Sequence, residues 1–407
     1  MTPNSVVMKN ESLGSKLIYG GCPVQALDVA PAPMTHSQPL PNKATVSPRT
    51  TKTRYLNLDT ARGLAVLGMI YMHFVSAESG QTGISGIASS LATILEGKAA
   101  VLFCILAGMT WDLQASTRSG RDLLSRAIVL AVAGVAFHIF IWPTEILVPL
   151  AFMMLMALTI RRYGIHALLL TTSLCLVLIP IVQACFSRYM ESDWNADGSH
   201  LTDSEIGWAT LRYLIFDGHY ALVPWLAFPL IGMVLIAKER DGTRPLKVWF
   251  APSVTIACLS QAYTIWILSN TDALGAFGPY FSNTWLPTSL PFVLTQGSCA
   301  IAIISGLSWC CSVNQLGDLP APVRWLALLG RSSLTHYVLH LCLVYLPLKA
   351  LLGHEEWSVI DGLLAFAGYA FFAVPLTTQW FRRFNRGPAE AVWAILSGQK
   401  SKRKKVD

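Results

Sequence analysis

Three ionisable residues lie on one otherwise apolar stretch, "RYLNLDTARGLAVLGMIYMHFV", residues 54–75: Asp59, Arg62 and His73. On a helix, eleven residues make about three turns with a net offset of roughly 20°, so Arg62 and His73 share a face about 16 Å apart. Asp59 precedes Arg62 by three residues and falls on nearly the same face. The helix therefore carries a charged pair at one mouth and, well inside, an imidazole that titrates near neutral pH. Buried ionisable groups in a membrane span are costly and are functional candidates by default. The plainer readings are a helix-capping, topogenic ion pair for Asp59 with Arg62, and an interhelical hydrogen bond for His73.

The rest of the chain requires a membrane. Of 407 residues 53% are hydrophobic and only 13% are charged, too apolar a balance for a soluble domain to hide in its core. A span takes about 20 apolar residues. Ten candidates follow, at 62–77, 91–113, 125–142, 145–161, 165–186, 219–238, 248–269, 288–311, 333–351 and 359–380, with the division at Pro143 the shortest. The expected fold is all-α and polytopic, with about ten transmembrane helices over residues 54–386. Residues 1–53, rich in Pro, Ser and Thr, read as a disordered cytoplasmic tail without a signal peptide. Residues 387–407 read as an amphipathic helix after Pro388 and a polybasic cytoplasmic tail, whose charge suits topology and anionic lipid rather than nucleic acid.

Short loops rich in Lys and Arg stay cytoplasmic. Arg54, Arg118, Arg121, Arg126, Arg161, Arg162, Lys238, Arg240, Arg324 and Arg331 all fall on the side of the basic C-terminus. The alternate loops carry acids instead, among them Glu78, Glu145, Glu191, Asp217 and Glu355. Both termini are thus expected in the cytoplasm, and the polar loop 187–218 outside, where it could cover an outward-facing site.

At the outer level further polar groups gather: Lys98 and Glu96 in the second span, His138 at the end of the third, Glu145 at the start of the fourth and His219 at the start of the sixth. They are expected to line a substrate cavity that solvates or pairs them. His336 and His340 share a face in the ninth span, His340 near mid-membrane. Two histidines at this spacing have no evident third ligand, so no metal is expected. The cysteines lie mostly within spans and read as packing residues.

The segment "LDTARGLAVLGMIYMHF" resembles the first-helix signature of the integral-membrane acyltransferases of acyltransferase family 3, an Arg followed eleven positions later by a His. "LGRSSLTHYVLHLCLVYLPL" is similar to that family's late helix, with Gly330, Ser332, Tyr337 and His340 at matching places. "EGKAAVLFCILAGM", "YALVPWLAFPLIGM" and "WFRRFNRGPAEAVW" resemble the YeiB-like branch of the wider superfamily. The heparan-α-glucosaminide N-acetyltransferases also resemble the first-span pattern. The likeness covers residues 54–396. Where the YeiB-like branch has Asn, this chain has His73; where the acyltransferases have Arg-x-Arg in the third span, it has only Arg121 and Arg126 before it.

The resemblance implies a membrane O-acyltransferase that moves an acetyl or other acyl group from cytosolic acyl-coenzyme A to a hydroxyl of an envelope glycan, glycolipid or lipid on the outer face of a plasma membrane, bacterial by expectation. Its catalytic group would comprise His73 as base or acyl carrier, with Asp59 and His340. Arg62, Arg121 and Arg126 would hold the donor's phosphates. The competing class is a proton-coupled transporter or flippase of an envelope precursor, with Asp59, Arg62, Lys98 and the histidines as its ion path. A membrane scaffold would need none of these groups.

Overall fold

A computed structural model of the chain describes residues 55–75, 80–141, 145–190, 213–270, 288–311, 316–352 and 358–398, with residues 211, 281 and 283. The expected tails 1–53 and 399–407, Pro143 and most of the 187–218 loop lie outside them. Every described element is helical, in an all-α polytopic fold. In chain order the longer α-helices are α1 (Leu56–Phe74), α2 (Gly83–Leu95), α3 (Lys98–Ala115), α4 (Gly120–Phe140), α5 (Leu147–Arg161), α6 (Ile165–Met190) and, after a short helical turn at Leu222–Trp225, α7 (Ala227–Arg240). There follow α8 (Phe250–Leu268), α9 (Leu290–Cys310), α10 (Ala321–Arg331), α11 (Ser333–Leu339), α12 (Leu346–Leu352), α13 (Val359–Arg383) and α14 (Pro388–Leu396).

Among the described residues six stretches are long and apolar enough to cross a membrane: Gly83–Ala115, Gly120–Phe140, Leu222–Arg240, Leu246–Leu268, Leu290–Cys310 and Val359–Arg383. Leu147–Arg161, Ile165–Ile179 and Ser333–Leu348 are shorter apolar helices. The distribution of polarity is that of a chain solvated by hydrocarbon. On α4 the outward stripe is Leu124, Ile128, Val132, Val135 and Ile139, all exposed, while Asp59, Asp112, Arg126 and His340 are buried inside the bundle.

Two expected spans differ in detail. The first begins at Leu56 and ends before Val75 instead of covering 62–77, because Asp59 and Arg62 pair with each other within the helix and so need no water. His73 consequently sits in the last turn of α1, not deep within it. The second is broken at Gly97, whose φ of 70° ends α2 and starts α3 at Lys98.

One crossing sets the position of the functional helices. α1 packs along α10. A methyl group on Gly330 of α10 would overlap the Asp59 carbonyl of α1, and one on Gly63 of α1 would overlap the Leu326 carbonyl of α10. The two backbones therefore touch through reciprocal glycines, the close approach that small residues permit between membrane helices.

Candidate functional site

α10 ends at Ser332, and α11 restarts at Ser333 to deliver His336 and His340 beside the end of α1. From His340 to Tyr345 the helix widens into a π turn, a distortion that recurs at functional sites because it re-aims side chains. The result brings together residues 267 positions apart: His73 Nδ1 lies 2.8 Å from His340 Nε2, with the rings inclined by 16°. Phe74, Tyr337 and Tyr369 surround His340, with ring centroids 5.9–6.5 Å away.

The partners assign the tautomers. His340 Nδ1 lies 2.8 Å from the His336 carbonyl, which can only accept, so this nitrogen carries the proton and His340 Nε2 bears a lone pair. His73 Nδ1 must then donate to it, which leaves the lone pair of His73 on Nε2. A proton taken at Nε2 makes His73 a cation whose Nδ1–H is already held by His340. The neutral imidazole of His340 thus orients His73, the task a buried carboxylate performs in a Ser-His-Asp triad.

His336 supports this pair from below. Its Nδ1 is 2.6 Å from the Tyr369 hydroxyl and its Nε2 is 2.9 Å from the Thr377 hydroxyl, both on α13. With both nitrogens of His336 engaged by hydroxyls, and those of His340 by a carbonyl and by His73, the two histidines do not converge on a common ion. Among the described residues there is no group of three or more His, Cys, Asp or Glu placed to hold a metal.

A second cluster lies toward the other end of α1. Arg62 bonds Asp59 at 3.0 Å and the Thr110 hydroxyl of α3 at 2.9 Å. Two residues on, buried Asp112 takes Arg161 of α5 at 2.5 Å on one oxygen and Arg240 of α7 at 2.8 Å on the other. One carboxylate of α3 thereby ties together the basic ends of α5 and α7. Removing it leaves the half-buried Arg161 guanidinium beside Arg240, whose remaining ion pair is the longer one to Asp241 at 3.8 Å. Asp112→Ala is expected to destabilise the protein by about 3 kcal/mol, read as a lower melting temperature in detergent, whereas Arg240→Gln costs far less because a partner remains.

Most of the remaining expected site residues have other partners. Arg126 is buried beneath the Trp393 ring of α14, 3.8 Å from its centroid, and Arg121 is exposed. Glu145 caps α5, accepting from the backbone N–H groups of Leu147 and Val148, with His138 in electrostatic range. His219 is buried in the turn before residues 222–225. Lys98 opens α3 near Glu96 and Cys299.

The sequence reading did not single out Asp112, Thr110, Tyr369, Thr377 or Glu390. Asp112 had a usable signal, a lone acid closing an apolar run. Glu390 had none: it reaches back from α14 to accept from the Leu334 N–H at 2.7 Å and the Thr335 hydroxyl at 2.5 Å, capping α11. Burial raises its carboxyl above the ordinary range, against the opposing pull of those hydrogen bonds.

The geometry can be set beside known proteins. Residues 233–398, which include both His336 and His340, match a family model described as protein of unknown function (DUF418). Residues 54–263 match the model described as heparan-alpha-glucosaminide N-acetyltransferase, catalytic, and include Asp59, Arg62, His73, Asp112, Arg161 and Arg240. No curated protein and no solved structure matches the chain. The histidine pair is therefore assembled from one residue of each matched region, and the likeness to acyltransferase family 3 remains one of short motifs. With more than half its length matched, the chain belongs to the heparan-alpha-glucosaminide N-acetyltransferase catalytic family, a membrane acetyltransferase-like family, with a DUF418 C-terminal region.

Proposed function

We propose that the protein is a multi-pass plasma-membrane O-acyltransferase that uses cytosolic acetyl-coenzyme A, or another acyl-coenzyme A, to acylate a hydroxyl of an envelope glycan, glycolipid or lipid on the outer face. The observation that carries this reading is the close pairing of His73 with His340, 2.8 Å apart, with His340 held by the His336 carbonyl. Acyl transfer from a thioester needs a base of near-neutral character at the acceptor, and imidazole is the side chain best suited to it. In the proposed reaction the acceptor hydroxyl gives its proton to His73 Nε2 and its oxygen attacks the thioester carbonyl. The C–S bond breaks, and the departing thiolate takes up the proton that His73 received, which restores the neutral imidazole. His340 keeps the His73 ring oriented throughout.

The donor's phosphates would meet the arginines at this end of the bundle, Arg62 on α1 and Arg161 with Arg240 about Asp112, since a guanidinium holds a phosphate through two parallel bonds. Arg121 and Arg126 belong to the same basic side in the loop reading, which puts that side and both termini in the cytoplasm.

The experiment is transfer of label from acetyl-coenzyme A to envelope material, in membranes with and without the protein. Label that mild alkali releases marks an ester, as proposed. Alkali-stable label marks an amide, moving the acceptor to an amino sugar of the kind in the family name. Absence of protein-dependent label, together with no saturable acyl-coenzyme A binding by purified protein, refutes the acyltransferase reading.

A further inference from the structure

A groove of about 560 Å³ runs between α11, the π turn and α12 on one side and α13 on the other. Leu343, Leu364, Phe372 and Leu376 form its walls and are 63–67% exposed. α13 is one of the helices long and apolar enough to cross a membrane, so the open side of the groove faces hydrocarbon. The polar groups on its floor are committed to one another. His336 bonds Tyr369 and Thr377, and the Thr335 hydroxyl bonds Glu390. Such a floor offers a methylene chain a smooth surface and gives a polar ligand little to bind.

One end of the groove is different. Trp380, Phe381 and Pro388 line it there. The Arg331 guanidinium lies over the Phe381 ring, 4.6 Å from its centroid, and the Trp380 indole donates to the Arg386 carbonyl at 2.7 Å. Arg382, Arg383 and Arg386 follow on the exposed surface. The neighbouring acid, Glu390, is turned inward to cap α11. An apolar channel that ends at a tryptophan and a cluster of arginines matches an acyl chain joined to a negatively charged headgroup.

We propose that this groove binds an anionic phospholipid of the surrounding bilayer, with an acyl chain along α13 and the phosphate beside Arg331 and the arginines at 382–386. The site is separate from the acyl-transfer reading and stands or falls without it.

Gly368 provides the test, because it lines the groove and an added Cβ there meets no atom within 4 Å. Gly368→Phe therefore fills the groove rather than straining the helix, and Gly368→Ala is its control. The full chain is released from nanodiscs holding equal phosphatidylglycerol and phosphatidylcholine with identical chains, and bound lipid is counted by native mass spectrometry. The wild type is expected to retain phosphatidylglycerol about tenfold over phosphatidylcholine. Gly368→Phe should lose both lipids, and Gly368→Ala should keep the wild-type pattern. The exposed double variant Arg382→Gln, Arg383→Gln should still hold lipid but lose most of the headgroup preference. Equal retention of the two lipids by the wild type overturns the proposal. So does wild-type retention by Gly368→Phe, or an undiminished preference in the arginine variant.

Discussion

His73→Ala is expected to lower the proposed acyl transfer by about 10³-fold while leaving the proposed acyl-coenzyme A binding within a few-fold of the wild type. The asymmetry follows from geometry. His73 supplies the Nε2 lone pair of the pair, and a methyl group can neither accept the acceptor's proton nor donate Nδ1–H to His340. Arg62, Arg161 and Arg240, which suit the donor's phosphates, belong to another cluster and are untouched by the change. His340→Ala should fall less, by about 10²-fold, because His73 keeps its basic nitrogen and loses only its orientation. His340→Gln retains a carbonyl oxygen that can accept the same Nδ1–H and should recover part of that loss. Both substitutions should act on kcat with KM for the donor little changed, as expected for groups that engage at the reacting centre. Turnover by purified protein, with melting temperature recorded in parallel, decides the matter. Wild-type turnover in His73→Ala removes this residue from the mechanism.

Much of this site is legible from residue types alone, but its assembly is not. Arg62 and His73 announce themselves because charge in an apolar run is expensive, and His340 does so for the same reason. What local periodicity cannot show is that His73 and His340 meet, since that contact depends on how α1 crosses α10 and on the π turn at His340. Helix ends are not legible from hydropathy either. The end of α1 at Phe74 makes His73 a last-turn residue, and the broken second span turns Lys98 into a helix start. Glu145 shows a further limit. Its sequence position suggests a cavity-lining acid, while the structure uses its carboxylate to satisfy the first N–H groups of α5. Arg126 reads as a phosphate ligand by its charge, yet it lies buried under Trp393, a residue 267 positions away. Among the described residues six stretches, not the expected ten, are long and apolar enough to cross a membrane, and their apolar character was accessible because hydropathy is local. Pairing, capping and stacking are not, because each joins residues that only the completed fold brings together.

Gly330→Ala should be about as damaging as His340→Ala, although it adds one methyl group and touches no reacting atom. The position faces the Asp59 carbonyl and the Gly63 amide of α1 so closely that a Cβ cannot be accommodated unless the helices separate. Both obstacles are backbone atoms, which cannot rotate aside as a flexible side chain does. Separation of α1 from α10 carries His73 away from His340, whose hydrogen bond at 2.8 Å has little slack. A misplacement of about 1 Å at a catalytic contact costs roughly 10²-fold in rate, and overpacking of this kind destabilises by about 3 kcal/mol. The expected result is therefore a lower melting temperature together with a turnover loss larger than the fraction of unfolded protein explains. Gly368→Ala isolates the cause, since it makes the same chemical change on α13 where the space is open, and should leave turnover and melting temperature near the wild type. Wild-type stability and turnover in Gly330→Ala would show that α1 and α10 do not meet through these glycines, and the placement of His73 against His340 would fall with that contact.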